Sequence, residues 1–204
     1  MKRLLILSQL IVVVCVLIVA AGPRKPFIVQ IDAGHGGNDP GFVAENGLSE
    51  KELVFELSMI LSEKLKQIEG VEVRVLRNSD AAIGLKERIE MIEPEVDLLI
   101  SLHATGFPGP NRRGMTLHTP SEGSHVETSI KVADAFAESM RTLEIPLMSP
   151  EQNKFYILRH APCPAVLISA GTLSNPEDAK LLSTVEYQHD FADRLSDAIG
   201  RIAP

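Results

Sequence analysis

"FIVQIDAGHGGNDPG", residues 27–41, runs from a short apolar segment into a turn carrying Gly34, Gly36, Gly37 and Gly41. Phe27–Ile31 predicts a buried strand, and residues 32–41 predict a glycine-rich loop. The next segment is helical. Ser49 stands as N-cap with Glu52 three residues on, a capping box. Leu53, Leu57, Ile60, Leu61, Leu65 and Ile68 then recur at helical spacing, and Gly70 stops the helix.

The same alternation continues. Val71–Leu76 predicts a strand, Leu85–Ile92 a short helix ending before Pro94, and "DLLISLH" at 97–103 an apolar buried strand. A Gly/Pro-rich loop spans 104–114, and Gly114–Thr119 predicts a strand. Residues 126–143 carry a helical stripe. Phe155–Leu158 and Ala165–Ile168 predict the last two strands. A short helix after Pro176 and a longer one over Val185–Ile202 close the chain. Several strands are apolar on both faces, so the expected fold is a single three-layer α/β domain: a twisted, mostly parallel six-stranded sheet flanked by helices.

The N-terminus stands outside that domain. Lys2 and Arg3 precede an apolar run from Leu4 to Ala21, with Ala20, Ala21 and Gly22 as small residues at its end. Residues 1–22 therefore predict either a cleaved secretory signal or an uncleaved membrane anchor; the domain proper covers 26–204. Either way the expected location is the periplasm or cell envelope, with membrane contact only through that segment. The net charge is −7, and without Lys2 and Arg3 it is −9. No basic patch stands out, which argues against nucleic acid as a partner. Cys163 is the one cysteine beyond the leader. An exported domain with a single cysteine has no internal disulfide, so its stability must come from its core, with or without a metal.

Three residues draw attention for their chemistry. His35 sits in the glycine loop after the first strand, Glu50 in the first turn of the following helix, and His103 at the end of an apolar strand. In a parallel sheet the carboxyl ends of the strands share one edge, where loops build sites. Two histidines and a carboxylate form a common catalytic zinc set with a fourth position left for water. Taken singly, each residue has an ordinary use: a loop histidine is solvated, a glutamate suits a helix N-terminus, and a strand histidine can be a satisfied core residue.

"IDAGHGGNDPG", "GLSEKEL" and "DLLISLHA", in that order, resemble the zinc-dependent N-acetylmuramoyl-L-alanine amidases of the Amidase_3 type. "VRVLRNSDAAIGLKERIEMI" is similar to that family's strand, Arg-x-x-Asp turn and Leu-x-x-Arg helix. "YILRHAPCPAVLISAGTLSNPEDAKLL" is similar to its last strands and Ser-Asn-Pro-x-Asp segment. The resemblance covers 26–204 apart from a variable middle around 107–150. It implies His35, Glu50 and His103 as ligands of Zn²⁺. It implies peptidoglycan as substrate, cut at the amide between the lactyl group of N-acetylmuramic acid and L-alanine. Asp32 would either orient a ligand histidine from behind or cap the glycine turn.

The resemblance breaks at one position. The family's strand after Pro-Ala-Val-Leu ends in a glutamate that serves as general acid/base; here that residue is Ser169. A serine hydroxyl does not ionise near neutral pH and cannot take a proton as a carboxylate does. His160, between the last two expected strands, is the first substitute base to consider, and Glu177, in the "NPED" loop, the second. Thr105 and Thr172 depart from the family in the same region. A serine nucleophile is disfavoured, because the elbow motif needs glycine on both sides; Gly171 fits and Leu167 does not. Three readings remain: a peptidoglycan amidase with altered catalysis, a zinc-holding pseudoamidase that binds muramyl peptides or regulates, or an enzyme whose altered cleft takes a different amide or peptide.

Overall fold

The computed structural model describes residues 25–204; the leader expectation for residues 1–22 lies outside them. In chain order the elements are β1 (Phe27–Ala33), α1 (Glu50–Leu65), β2 (Val71–Val75), α2 (Leu85–Glu90), β3 (Leu98–Thr105) and β4 (Thr116–Pro120). Then come α3 (Val126–Met140), β5 (Glu151–Asn153), α4 (Tyr156–His160), β6 (Ala165–Thr172), α5 (Pro176–Leu182) and α6 (Val185–Ile202). They form one six-stranded sheet in the order β2-β1-β3-β6-β4-β5. The first four strands in that order are mutually parallel, β4 is antiparallel to β6, and β5 is parallel to β4. This is the expected mostly parallel α/β architecture.

The two faces of the sheet differ, and the difference positions the site. Alternate residues of each strand point to opposite faces. Val29, Ile31, Leu98, Ile100, Leu102, Leu117, Val166 and Ile168 face a large apolar core closed by α1, α3 and α6. Their neighbours in sequence face the other side. That side is covered by a smaller apolar cluster containing Ile28, Leu99, Ile157, Leu158 and Leu167. Interspersed with it are buried polar residues: Gln30, Asp32, Ser101, Ser169 and His118. Short elements, α2 and α4, lie on this side, which leaves room for a cleft.

Two local expectations are corrected. Phe155–Leu158 was expected as a strand; residues 156–160 form the single-turn helix α4 instead. Ile157 and Leu158 are both buried in the smaller cluster, and one helical turn lets consecutive residues share a face where a strand would split them. The fifth strand is Glu151–Asn153, a three-residue polar segment paired to the edge of β4. Its strand conformation comes from the waiting edge of β4 rather than from any apolar pattern of its own. The α1 N-terminus matches expectation: the Glu52 carboxylate accepts from the Ser49 amide N–H at 3.4 Å and from Ser49 Oγ at 2.5 Å.

Candidate metal centre

His35, Glu50 and His103 meet at the carboxyl edge of β1 and β3. Their donor atoms lie within 4.8 Å of one another, and among the described residues no other histidine, cysteine or acidic side chain joins them. Glu50 Oε1 sits 3.0 Å from His35 Nε2 and 2.9 Å from His103 Nδ1. The two imidazoles stand nearly perpendicular, with ring centres 5.2 Å apart.

Local backbone chemistry brings these side chains together. His35 adopts φ 58°, in the left-handed region that non-glycine residues avoid; this aims its ring inward from the loop. Gly34 is required beside it, because a Cβ there would stand 2.3 Å from His103 Cε1. Gly41 closes the loop at φ 64°, and a Cβ on it would approach Glu50 Oε2 to 2.6 Å. Glu50 opens α1, and its own N–H bonds to the Phe42 carbonyl at 2.8 Å. The β3 register then carries His103 to the sheet edge opposite Ser169.

Supporting bonds fix the orientation. Asp39 Oδ2 lies 2.8 Å from His35 Nδ1, so Asp39 and not Asp32 orients that ring. The Glu50 carboxylate also accepts from the Ala104 N–H at 3.0 Å and the Phe42 N–H at 3.1 Å. Among the described residues Asp32 hydrogen-bonds to no histidine side chain. It is buried, bonded to Arg88 and to Ser101 Oγ. Arg88 in turn donates to the Ala33 carbonyl at 2.8 Å and the His35 carbonyl at 2.6 Å. Asp32 therefore acts on the site through Arg88 and the loop backbone. Arg77 and Asp80, the Arg-x-x-Asp turn, clamp the same loop: Arg77 Nη2 donates to the Lys51 carbonyl at 3.0 Å, and Asp80 Oδ1 accepts from the Gly37 N–H at 2.7 Å.

The electrostatics follow from these contacts. The Glu50 hydrogen bond raises the His35 pKa above its ordinary value, against the opposing pull of burial. Burial alone would raise the pKa of Glu50, but the hydrogen bonds from His103 and His35 outweigh it and hold the carboxyl well below the usual carboxylate range. The hydrogen bond to His35 lowers Asp39 likewise. A preformed carboxylate with two imidazoles, the His35 ring braced from behind by Asp39, is the donor chemistry of a catalytic zinc site. The residues present fit such an ion.

The triad opens into a cleft of about 540 Å³ that includes Phe42, Leu85, Thr105, His118, Phe155, Tyr156, Ile157, Leu167 and Ser169. Ser169 is buried, its hydroxyl paired with that of Thr105 and 3.4 Å from the Gly171 carbonyl. Neither substitute base reaches this cleft. Glu177 is exposed at the start of α5 and paired with Arg113, and the His160 ring packs against Tyr156 on α4 without lining the cleft. Thr172 bonds the Gly114 carbonyl at 3.2 Å, also away from it. Sequence reasoning missed His118, which does line the cleft. Its only local signal was a histidine inside the short strand "TLHTP", and nothing there says which face it takes.

Fold and site together define an α/β domain with a two-histidine, one-glutamate metal-type centre at the carboxyl edge of its sheet. Comparison with known proteins agrees. Residues 29–201 match the family model Amidase_3, N-acetylmuramoyl-L-alanine amidase. The protein YqiI of Bacillus subtilis is 32% identical over 183 residues, covering 88% of this chain and 86% of that one. The N-acetylmuramoyl-L-alanine amidase AmiC of Neisseria meningitidis is 25% identical over 87% of this chain, which spans 53% of AmiC. Among solved structures, an N-acetylmuramoyl-L-alanine amidase from Clostridium difficile 630 superposes with a TM-score of 0.82 at 26% identity, covering 86% of this chain and 96% of that one. The chain belongs to the Amidase_3 family of N-acetylmuramoyl-L-alanine amidases.

Proposed function

We propose that the domain is an exported, zinc-dependent amidase of peptidoglycan, cleaving between N-acetylmuramic acid and L-alanine. The observation that carries this reading is the complete His35–Glu50–His103 triad, braced by Asp39, Arg88 and two backbone N–H groups. An unused metal site has no need of that bracing. Zinc bound there supplies Lewis acidity to the scissile carbonyl and lowers the pKa of water. The chain's own residues do the rest. Glu50 keeps its charge to hold the cation, and Asp39 holds the His35 imidazole in place. Phe42, Leu85, Phe155 and Tyr156 offer an apolar wall against which a sugar-peptide chain can lie. The apolar run expected as a leader over residues 1–22, and a substrate that lies outside the cytoplasmic membrane, support export.

One observation favours a second reading, the pseudoamidase that holds zinc and binds muramyl peptides without turnover. The position where the family resemblance puts the general acid/base is Ser169, its hydroxyl paired with Thr105, and among the described residues no carboxylate other than Glu50 lines the cleft. The test pairs metal analysis with digestion of purified peptidoglycan. The amidase reading expects one zinc per chain and release of new amino termini that a chelator abolishes. Zinc-loaded protein that binds peptidoglycan and releases none supports the pseudoamidase instead.

A further inference from the structure

We infer that a second cavity beside the cleft is the subsite for the peptide arm of the substrate, which it holds by a carboxylate through Lys180. This rests on the amidase reading above for its ligand. The cavity measures about 360 Å³ and lies between the loop after β1 and the chain entering α5; Glu45, Asn46, Leu173, Ser174, Ala179 and Lys180 help to line it.

It adjoins the triad cleft. Leu173, in the wall of the second cavity, donates its N–H at 2.7 Å to the carbonyl of Thr105, in the wall of the cleft. Ser174 Oγ accepts at 3.0 Å from the N–H of Phe107, which follows Gly106 of the cleft. Phe42 of the cleft stands three residues before Glu45. From His103 the path to Leu173 is two residues along β3 and one strand spacing, on the order of 10 Å. A peptide leading away from a scissile bond at the triad covers that span in about three residues.

The lining selects a carboxylate. Asn46 Oδ1 accepts from the Leu48 N–H at 3.1 Å, which fixes the side chain and leaves its NH₂ to donate. Ser174, accepting from Phe107, keeps its own hydroxyl proton to donate. On α5 the two acids, Glu177 and Asp178, both pair with Arg113, and Lys180 has no ion-pair partner among the described residues. One free ammonium and two anchored neutral donors thus face one cavity. Glu45, on the same cavity, has no cation of its own among the described residues; it disfavours a second carboxylate there and suits an amine on the same peptide. The wall is preformed: Asn175 Oδ1 accepts from the Glu177 and Asp178 N–H groups, and its Nδ2 donates to the Pro110 carbonyl at 2.6 Å. A site held in shape before binding loses less to ordering when the ligand arrives.

The experiment offers zinc-loaded protein two synthetic ligands: an N-acetylmuramoyl-L-alanyl tripeptide with free carboxylates, and the same molecule with each carboxylate converted to carboxamide. Discrimination is the ratio of kcat/KM for the two or, without turnover, the ratio of their Kd values by calorimetry. Wild type, Lys180→Gln, Lys180→Glu and Lys131→Gln are compared; Lys131 is an exposed lysine of α3 away from both cavities. Taking a ratio within each protein cancels any general loss of activity. The expected result is that wild type favours the carboxylate. That preference falls roughly 3- to 10-fold in Lys180→Gln, reverses in Lys180→Glu, persists in Lys131→Gln and weakens in high salt. Turnover with a ratio unchanged within about twofold in both Lys180 variants overturns the subsite and leaves the amidase reading standing. An equal fall in Lys131→Gln also overturns it, since net charge and not the cavity would then set the preference. No turnover of either ligand overturns the amidase reading, and the Kd ratios then decide the subsite by the same criteria.

Discussion

At Glu50 two opposing effects meet: burial disfavours its charge, and hydrogen bonds from His103 and His35 restore it. The pair works in both directions, so the pH dependence of the metal-free domain has a definite shape. His35 has a folded pKa above 6.5; its contribution is complete below pH 6.5 and is lost as pH rises through the raised value. Glu50 has a folded pKa below 4.5; its contribution is complete above pH 4.5 and is lost as pH falls through the lowered value. The metal-free protein should therefore gain most from this pair between those two limits, and its Tm should decline as pH rises above 6.5 through the raised His35 value. The Tm increment on adding zinc should grow over the same interval, because the metal needs His35 deprotonated. Thermal scans with and without zinc check both trends, and a zinc increment that shrinks with rising pH would refute the triad as the binding site. The second residue-scale prediction concerns Ser169→Glu. Placing a carboxylate beside Thr105 at the end of β6 should raise amidase turnover roughly 10- to 10⁴-fold, measured as amino termini released from peptidoglycan at equal zinc content. No change would show that the end of β6 does not address the reacting bond.

The elements explain what was legible in the sequence and what was not. His35, Glu50 and His103 each sit beside a strong local signal: a glycine loop, a capping box and an apolar strand terminus. Their convergence followed from the shared edge of parallel strands, and the structure brings them together there. The bracing was not legible. That Asp39 rather than Asp32 holds His35 depends on the positive φ of His35, a backbone choice that residue types alone do not fix. Arg88 belonged to a recognisable Leu-x-x-Arg motif, but its partner Asp32 lies two elements away. β5 has no apolar pattern, and α4 is a single turn; both take their form from neighbours. His118 was hidden because its face depends on β4 running antiparallel to β6. The element-scale prediction tests the brace between α2 and β1. Arg88→Met leaves the Asp32 carboxylate buried without its cation, which should cost about 3–5 kcal/mol of stability and reduce zinc occupancy through the freed His35 backbone. Urea unfolding and metal analysis measure both. A loss under about 1 kcal/mol would mean that the pair is not as enclosed as its geometry indicates.

Over the whole molecule, the candidate metal centre sits on a domain whose two apolar clusters should keep it folded without a metal. The larger core joins three long helices to one face of the sheet, and the smaller cluster seals much of the other. Cys163 is free and buried, its thiol pushed up to about 12 by burial, so no disulfide contributes among the described residues. Chelation should leave the circular dichroism spectrum unchanged at 25 °C and lower Tm only by the linkage term of the lost ligand. Global unfolding on chelation would mean that zinc is structural. The central claim is that this fold holds zinc on His35, Glu50 and His103 to hydrolyse one amide of peptidoglycan. The most direct test is mass spectrometry of a defined N-acetylmuramoyl-L-alanyl peptide incubated with zinc-loaded protein, chelated protein and zinc-treated Glu50→Ala. The account predicts that zinc-loaded protein alone yields the free sugar acid and a peptide with an L-alanine amino terminus. An intact substrate after prolonged incubation with stoichiometrically loaded protein, or equal cleavage by Glu50→Ala, would contradict it.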